Sequence, residues 1–385
     1  MILKWLFWFL FLLLGYIYVG YPLFSMILGR LVRSEKPPRL SEWPSLTMVI
    51  SAYNEETVIR EKLANSIALD YPRDKFQMVV ISDASDDRTD EIVKNYGDER
   101  VRLIRVEGRR GKTHGISAVV PALTSEIVVF SDANAIYKED ALLKLVAHFA
   151  DEKVGYVVGN AQYYKEEQSN AGEHESAYWD MEVRLKMYES RLSSVVGGDG
   201  AIYAIRRALF LEMDDDDIND FVNPLQIIIQ GYRGVFEPAA ICYEHTADSF
   251  DKEIGRKRRI VNRSWRGLMK NKSVLNPLKT GFHAFQVFSH KMLRWLGGVF
   301  LLAFFIVNLF LWPVHWSYQL FLAAQVVFYL LALGGWLMIR FTGTAPFLFS
   351  TPYYFTAVNI ASILGIIDNY LGKKYTTWQT IREAS

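Results

Sequence analysis

Asp132 and Asn134, two residues apart after an apolar run, have a spacing that suits metal chemistry. From a loop, a carboxylate and a carboxamide can both direct an oxygen atom at one hard cation such as Mg²⁺ or Mn²⁺. Taken alone, such a pair is more often an ordinary polar strand end. The two residues therefore indicate a metal site only if neighbouring motifs support this interpretation.

Three further polar clusters follow apolar runs earlier in the chain. Residues 51–56 (SAYNEE) include Asn54, which is also a helix-capping residue type. Asp83 follows the second run and precedes two aspartates of the kind that open helices. Residues 109–112 (RRGK) make a glycine-spaced basic turn that suits a phosphate group or the edge of a base. Each cluster alone has a structural explanation. It is the occurrence of all of them, in this order along the chain, that indicates a functional site.

The elements that must position these clusters are strands alternating with helices. The apolar runs LTMVISAY, FQMVVISD, VRLIRV and EIVVFSDA are rich in Val and Ile, and helical patterns such as DRTDEIVKNYG separate them. This alternation predicts an α/β domain over residues 40–270, with a parallel sheet covered on both faces. Ligands bind beyond the carboxyl ends of such strands. We therefore expect all four clusters at one edge of the sheet.

A second group of polar motifs lies downstream. Gly198 and Asp199 fall in the Gly-rich segment 197–207 (GGDGAIYAIRR), which is equally explained by a tight turn that needs positive φ. Asp217 ends a run of four aspartates, and Asp220 precedes an apolar helix. A basic stretch follows at 256–263, where contact with anionic lipid headgroups is the alternative. His245 is expected to be a loop histidine rather than a ligand.

This ordered set resembles the family 2 glycosyltransferases, the group that includes cellulose, hyaluronan and poly-N-acetylglucosamine synthases. The resemblance implies an α/β GT-A domain in the cytoplasm, joined to α-helical transmembrane segments. It implies a nucleotide site that is lined by Ala52, Tyr53, Glu55, Asp83 and Lys112. Asp132 and Asn134 would stand for the family's Asp-x-Asp metal motif, with Asn in place of the second Asp.

The resemblance also assigns the acceptor side of the site. Asp220 would be the general base for the acceptor hydroxyl, with Asp217 as its nearest competitor; a helix start should keep the pKa of Asp220 low. Gly198 and Asp199 would lie near the acceptor sugar. Arg256 and Arg259 would contact the acceptor or the diphosphate, although Arg256 and Ile260 stand where the family has Gln and Trp. The absence of that Trp argues against processive synthesis. It does not exclude it, because Trp265 lies nearby in the sequence.

Composition excludes several other classes of protein. The 385 residues carry 43 basic and 42 acidic side chains, so there is no basic excess of the kind that nucleic-acid binding requires. Cys242 is the one cysteine, which excludes an intramolecular disulfide and a cysteine-based zinc site. A transporter would need polar groups inside its spans, and the C-terminal spans offer almost none before Asp368.

Apolar residues are concentrated at the two ends of the chain. Residues 5–28 carry no charge and are long enough to cross a hydrocarbon core of about 30 Å, with a cleaved signal peptide as the rival explanation. The basic residues that follow place the next domain in the cytoplasm. The predicted division is a transmembrane helix at 1–30, the catalytic domain at 40–270, an interfacial segment at 271–294, about three transmembrane helices at 295–370 and a tail at 371–385.

The side on which the tail lies is left open by the sequence. Three C-terminal spans place it outside, whereas Lys373, Lys374 and Arg382 favour the cytoplasm. A re-entrant last segment, broken near Pro352, would reconcile the two.

The sequence thus predicts a multi-pass enzyme of the cell membrane whose partners are a nucleotide sugar, an acceptor and the lipid bilayer. We expect an inverting glycosyltransferase that needs Mg²⁺ or Mn²⁺ and extends an extracellular polysaccharide from a UDP-sugar. Single transfer to a membrane lipid is one alternative. A non-catalytic scaffold of the same fold is another, and the three carboxylates Asp83, Asp132 and Asp220 argue against it.

Overall fold

The computed structural model describes residues 1–33, 39–163, 170–244 and 250–377. His245 and Arg382, for which the sequence made predictions, lie outside these ranges.

One eight-stranded mixed sheet forms the centre of the catalytic domain, with the strand order β3-β2-β1-β4-β7-β6-β8-β5. The strands are β1 (Leu46–Ala52), β2 (Phe76–Ser82), β3 (Val101–Arg105), β4 (Ile127–Asp132), β5 (Ile136–Tyr137), β6 (Val154–Tyr163), β7 (Tyr203–Arg206) and β8 (Arg233–Glu244). The first four in chain order are parallel, as the apolar runs predict. The side chains of β1, β2 and β4 are mostly buried between two apolar clusters, one on each face, whereas β3 is only partly buried.

The expectation of a wholly parallel sheet is wrong at β7. This strand pairs antiparallel with β4 on one side and with β6 on the other. Tyr203, its first residue, pairs with Phe130 near the carboxyl end of β4. The reversal therefore brings the Gly-rich turn that precedes β7 to the same edge as Asp132.

Seven helices of the catalytic domain pack around this sheet: α2 (Ile59–Ile67), α3 (Thr89–Lys94), α4 (Lys112–Val119), α5 (Ala141–Ala147), α6 (Asn170–Leu192), α7 (Asn219–Ile229) and α8 (Phe250–Lys270). Both α4 and α7 begin at the edge where the four predicted strand ends meet. The basic turn thus leads into α4, and Asp220 lies in the first turn of α7.

Among the described residues, several longer helices are largely apolar: α1 (Ile2–Leu31), α9 (Phe282–Trp295), α10 (Gly297–Leu311), α11 (Trp316–Thr342) and α12 (Phe347–Tyr370). By length and composition, α1, α11 and α12 could each cross a membrane, and the pair α9–α10, bent by 58°, could be a fourth span. The bend falls at the end of the segment that the sequence predicts to be interfacial. Phe7 of α1 packs against Phe304 of α10 and Tyr318 of α11, which ties the two ends of the chain together.

Helix α12 is continuous, so the predicted break near Pro352 is wrong. Proline there removes one backbone hydrogen bond early in the helix, a loss that leaves the remaining turns intact. The C-terminal half of α12 packs along α8, where Arg258 makes a two-point ion pair with Asp368 at 2.6 and 2.8 Å. Beyond it, the carbonyl of Lys373 accepts a hydrogen bond from Arg266 at 3.1 Å. Residues 373–377 consequently lie on the same side of any membrane as the catalytic domain.

Candidate active site

A cavity of about 1120 Å³ opens at the carboxyl edge of the sheet, beneath α8 and α12. Among its lining residues are nine that the sequence predicts for the site: Glu55, Lys112, Asp132, Asn134, Gly198, Asp199, Asp220, Arg256 and Arg259. Motifs that are separated by up to two hundred residues therefore meet around one space.

Three charged groups converge on Gly200 inside this cavity. A methyl group on Gly200 would lie 3.3 Å from Asp220 Oδ2, 3.3 Å from Lys112 Nζ and 3.5 Å from Asp132 Oδ2. Lys112 forms an ion pair with Asp132 and donates to the carbonyl of Gly200 at 3.2 Å. A cation and two carboxylates thus face each other across a position that has no side chain.

Asp83 holds the basic turn rather than lining the cavity. Its carboxylate accepts hydrogen bonds from the backbone N–H of Arg110 at 2.9 Å and of Gly111 at 2.9 and 3.0 Å. Next to it, the Arg109 guanidinium stacks 3.6 Å from the ring centre of Tyr53. Asp83, Tyr53 and the buried Ala52 are not among the residues that line the cavity. Their structural effect is to fix the turn that presents Lys112.

The pKa of Asp220 is raised, not lowered as its place at a helix start predicts. Desolvation within the cavity raises this pKa above the ordinary 3.8, Lys112 opposes the shift, and Asp199 and Asp132 add to it. The sequence argument counted the helix dipole but not the enclosure of the site. The backbone of Asp220 also packs on the Gly-rich turn, since its carbonyl accepts from Gly198 N at 2.5 Å.

Asp217, the alternative base, has a different set of contacts. Its carboxylate lies 3.2 Å from Lys270 of α8 and does not line the cavity. Asp215 pairs with Arg110 and His114, at 2.8 Å to each. The acidic loop 214–217 thus fastens α4 and its turn to α8.

The aromatic wall of the cavity comes from Trp295 rather than from Trp265. Trp265 is buried against Trp295, with ring centres 6.4 Å apart, and lies outside the lining. Trp295 lines the cavity beside Phe221 at 5.6 Å. Ile260, which stands in the family's Trp place, also lines it.

Several charged residues of the cavity were missed by the sequence argument. Glu244 ends β8, and desolvation together with Asp132 and Asp199 raises its pKa to about 8. Lys186 of α6 pairs with Asp199 at 3.3 Å. Glu182 and Lys186 are four residues apart and therefore share one face of α6. Their spacing is visible in the sequence, so the sequence could have indicated that these two charged side chains lie together.

Glu182 contacts three basic side chains that also line the cavity. It lies 2.9 Å from His290, 3.1 Å from Lys291 and 3.3 Å from Arg294. No local sequence pattern joins α6 to α9, so only the fold reveals this cluster.

Asp132 and Asn134 offer the oxygen atoms that a hard divalent cation prefers. Among the described residues, no group of three His, Cys, Asp or Glu side chains is arranged to hold a metal ion. A divalent cation held by Asp132 and Asn134 would need further ligands from elsewhere, such as a bound diphosphate and water.

Comparisons with known proteins agree with this geometry. Residues 47–217 match the family model described as Glycosyl transferase family 2. The probable glycosyltransferase YdaM of Bacillus subtilis is 24% identical over 297 residues, which cover 72% of this chain and 69% of that protein. The poly-beta-1,6-N-acetyl-D-glucosamine synthase of Staphylococcus aureus is 24% identical over 218 residues, or 54% of this chain and 52% of the synthase. The match thus spans about half the length of that synthase.

A solved structure shows the same architecture over nearly the whole chain. It is the mannosyltransferase PcManGT of Pyrobaculum calidifontis, in complex with GDP-mannose and Mn²⁺. Its TM-score is 0.71 at 23% identity, and the alignment covers 96% of this chain and 100% of that one. The fold is therefore GT-A, and residues 47–217 of this chain are similar to the family 2 glycosyltransferases.

Proposed function

We propose that this protein is an inverting glycosyltransferase of the cell membrane, with its catalytic domain in the cytoplasm. The observation that carries the proposal is the meeting of Lys112, Asp132 and Asp220 around Gly200. A cation for the leaving diphosphate, a carboxylate for a metal ion and a carboxylate for the acceptor proton are the groups that such a transfer requires.

In the proposed reaction, Asp220 accepts the proton of the acceptor hydroxyl as that oxygen attacks the anomeric carbon. Attack opposite the leaving diphosphate inverts this centre. Lys112 neutralises charge on the diphosphate, and the cavity keeps the reacting groups together. A divalent cation held by Asp132 and Asn134, Mg²⁺ or Mn²⁺, would supply further charge neutralisation. As the general base, Asp220 is expected to accelerate the transfer by ~10²–10⁴-fold.

For the donor, we retain the predicted roles of Tyr53, Glu55 and Asp83 at the nucleoside. The stack of Arg109 on Tyr53 and the clamp of Asp83 on the basic turn support a nucleoside site at this edge. A uridine base remains our expectation.

A membrane-lipid acceptor is the candidate that the cavity favours. Beyond the carboxylates, the cavity continues along one face of α12, which contributes Phe347, Thr351, Phe355 and Val358, and past Tyr18 of α1. An apolar wall of this kind suits the chain of an amphipathic acceptor, with its hydroxyl directed towards Asp220. The growing polysaccharide that the sequence predicts is the second candidate, and similarity to the staphylococcal synthase supports it.

The test is transfer by the purified full-length protein in lipid nanodiscs with a panel of nucleotide sugars and Mg²⁺ or Mn²⁺. Product size on a gel separates single transfer to lipid from polymer. Asp132→Ala should abolish metal-dependent turnover, because it removes the carboxylate next to Lys112. Asp86→Ala, at an exposed acid of the same sheet edge, is the matched control and should remain active. Full activity of Asp132→Ala at saturating Mn²⁺ would contradict the assignment.

A further inference from the structure

The residues after α12 turn back onto the catalytic domain. We call residues 373–377 the C-terminal strap. Lys373 and Lys374 are exposed, whereas Tyr375 and Thr377 are partly buried and line the catalytic cavity. The end of an apolar helix is thereby connected to the site in only a few residues.

The strap is anchored to three parts of the fold before it reaches the site: α8, the acidic loop and the end of α12. The anchoring contacts are Asn262 Nδ2 and Arg266 to the carbonyl of Lys373 at 3.3 and 3.1 Å, Lys374 Nζ to Asp216 at 3.0 Å, and the Tyr375 hydroxyl to Asp368 at 2.6 Å. Asp216 is buried, so its pairing with Lys374 fixes the course of the strap.

Thr376 then packs directly on the basic turn. Its carbonyl oxygen fills the space that a Cβ of Gly111 would need. On the other side of the turn, Asp83 accepts from Gly111 N at 2.9 and 3.0 Å. Gly111 has φ +98°, a conformation that costs other residues more than glycine. The turn is thus held between a carboxylate of the sheet and a carbonyl of the strap.

We propose that the C-terminal strap is a positioning element of the donor site. It holds the Gly111–Lys112 turn in the conformation that receives the nucleoside diphosphate, and it thereby sets donor affinity. The proposal rests on the proposed function, because it assumes that this turn meets the donor. A turn released from the strap must be ordered when the donor binds, and that ordering lowers affinity. Bound donor orders the turn and Lys112 with it, so turnover at saturating donor should change little.

The experiment compares the full chain with a chain that ends after Gly372. Calorimetry with UDP and with GDP, each with Mn²⁺, should show a dissociation constant raised about tenfold, the loss expected when one or two groups must be newly ordered. The donor KM should rise by a similar factor while kcat changes less than about threefold. Hydrogen exchange of the 109–113 amides should accelerate in the shortened chain.

Point variants test the same proposal in case the shortened chain does not fold. Lys374→Glu should repeat the rise in KM, because it repels Asp216, whereas Lys374→Arg should restore the wild-type value. Lys94→Glu, at an exposed lysine of α3, is the control for the charge change. Unchanged or tighter nucleotide binding without the strap would overturn the proposal, as would unchanged exchange at 109–113. A wild-type protein that binds neither nucleotide would instead refute the proposed function.

Discussion

Asp220 and Asp217 are three residues apart and have different contacts in the fold. Asp220 faces Lys112 and Asp132 across Gly200, whereas Asp217 is paired with Lys270 of α8. The sequence could indicate that the base lies in this acidic segment, but not which aspartate it is. That choice depends on which carboxylate the fold pairs with a distant lysine.

Asp220→Asn should lower the transfer rate by ~10²–10⁴-fold while donor affinity barely moves. The substitution keeps size and removes the proton acceptor. Asp217→Asn is the matched control and should retain most activity, with some loss of stability from its broken contact with Lys270. Single-turnover rates measured with saturating donor check both. The reverse ranking of the two variants would move the base to Asp217.

The raised pKa of Asp220 also predicts how stability depends on pH. The folded state binds this proton more tightly than the unfolded chain does, so the group destabilises the fold as pH rises from the ordinary carboxyl range through the raised pKa. Asp220→Asn should therefore raise the melting temperature near pH 7.5 by a few degrees. The gain should shrink as pH falls and vanish at about pH 2, where Asp220 is protonated in both the folded and the unfolded chain. A destabilised variant at neutral pH would show that Asp220 is stabilised by its neighbours instead.

At the scale of elements, apolar runs were sufficient to predict β1 to β4 and the edge where their polar residues meet. They could not predict that β7 runs antiparallel, since strand direction depends on pairing partners rather than on composition. For the same reason Glu182 and Glu244 were missed, because their neighbours in the cavity come from distant elements. The break suggested near Pro352 was wrong for a similar reason. Proline breaks many helices, but Pro352 lies within a helix that packing on α8 stabilises.

The contact between α8 and α12 depends on a close approach at Gly365. A Cβ there would lie 2.6 Å from the carbonyl oxygen of Arg258. Gly365→Ala should consequently separate the helices, weaken the Arg258–Asp368 pair and cost about 1–3 kcal/mol of stability. Gly15→Ala in α1, where a Cβ meets no atom within 4 Å, is the matched control and should be neutral or slightly stabilising. Melting in detergent compares the two; equal melting temperatures would contradict the prediction.

At the scale of the whole molecule, contacts bear on which of the apolar helices could cross a bilayer. Ile339, near the end of α11, clusters with Ile254 of α8, and the strap after α12 also contacts α8. Both ends of α12 therefore lie near the catalytic domain. We expect α1, α10 and α11 to cross the membrane and α12 to lie along its inner face. Hydropathy alone could not predict this, because α12 is apolar enough to span.

Single cysteines in a Cys242→Ser background test this topology. Val314→Cys, between α10 and α11, should react with an impermeant maleimide in intact cells. Thr344→Cys, between α11 and α12, and Lys374→Cys should react only after the membrane is opened. Labelling of Thr344→Cys from outside would show that α12 crosses instead.

The packing of Phe7 on Phe304 and Tyr318 has a consequence for how the protein is made. Helix α1 leaves the ribosome first, yet its aromatic partners are synthesised almost three hundred residues later. Domains generally fold as they emerge, so the catalytic sheet can form while α1 is still without those neighbours. The wall that α12 gives the cavity comes later still. The cavity therefore lacks this wall until α12 has been synthesised and packed.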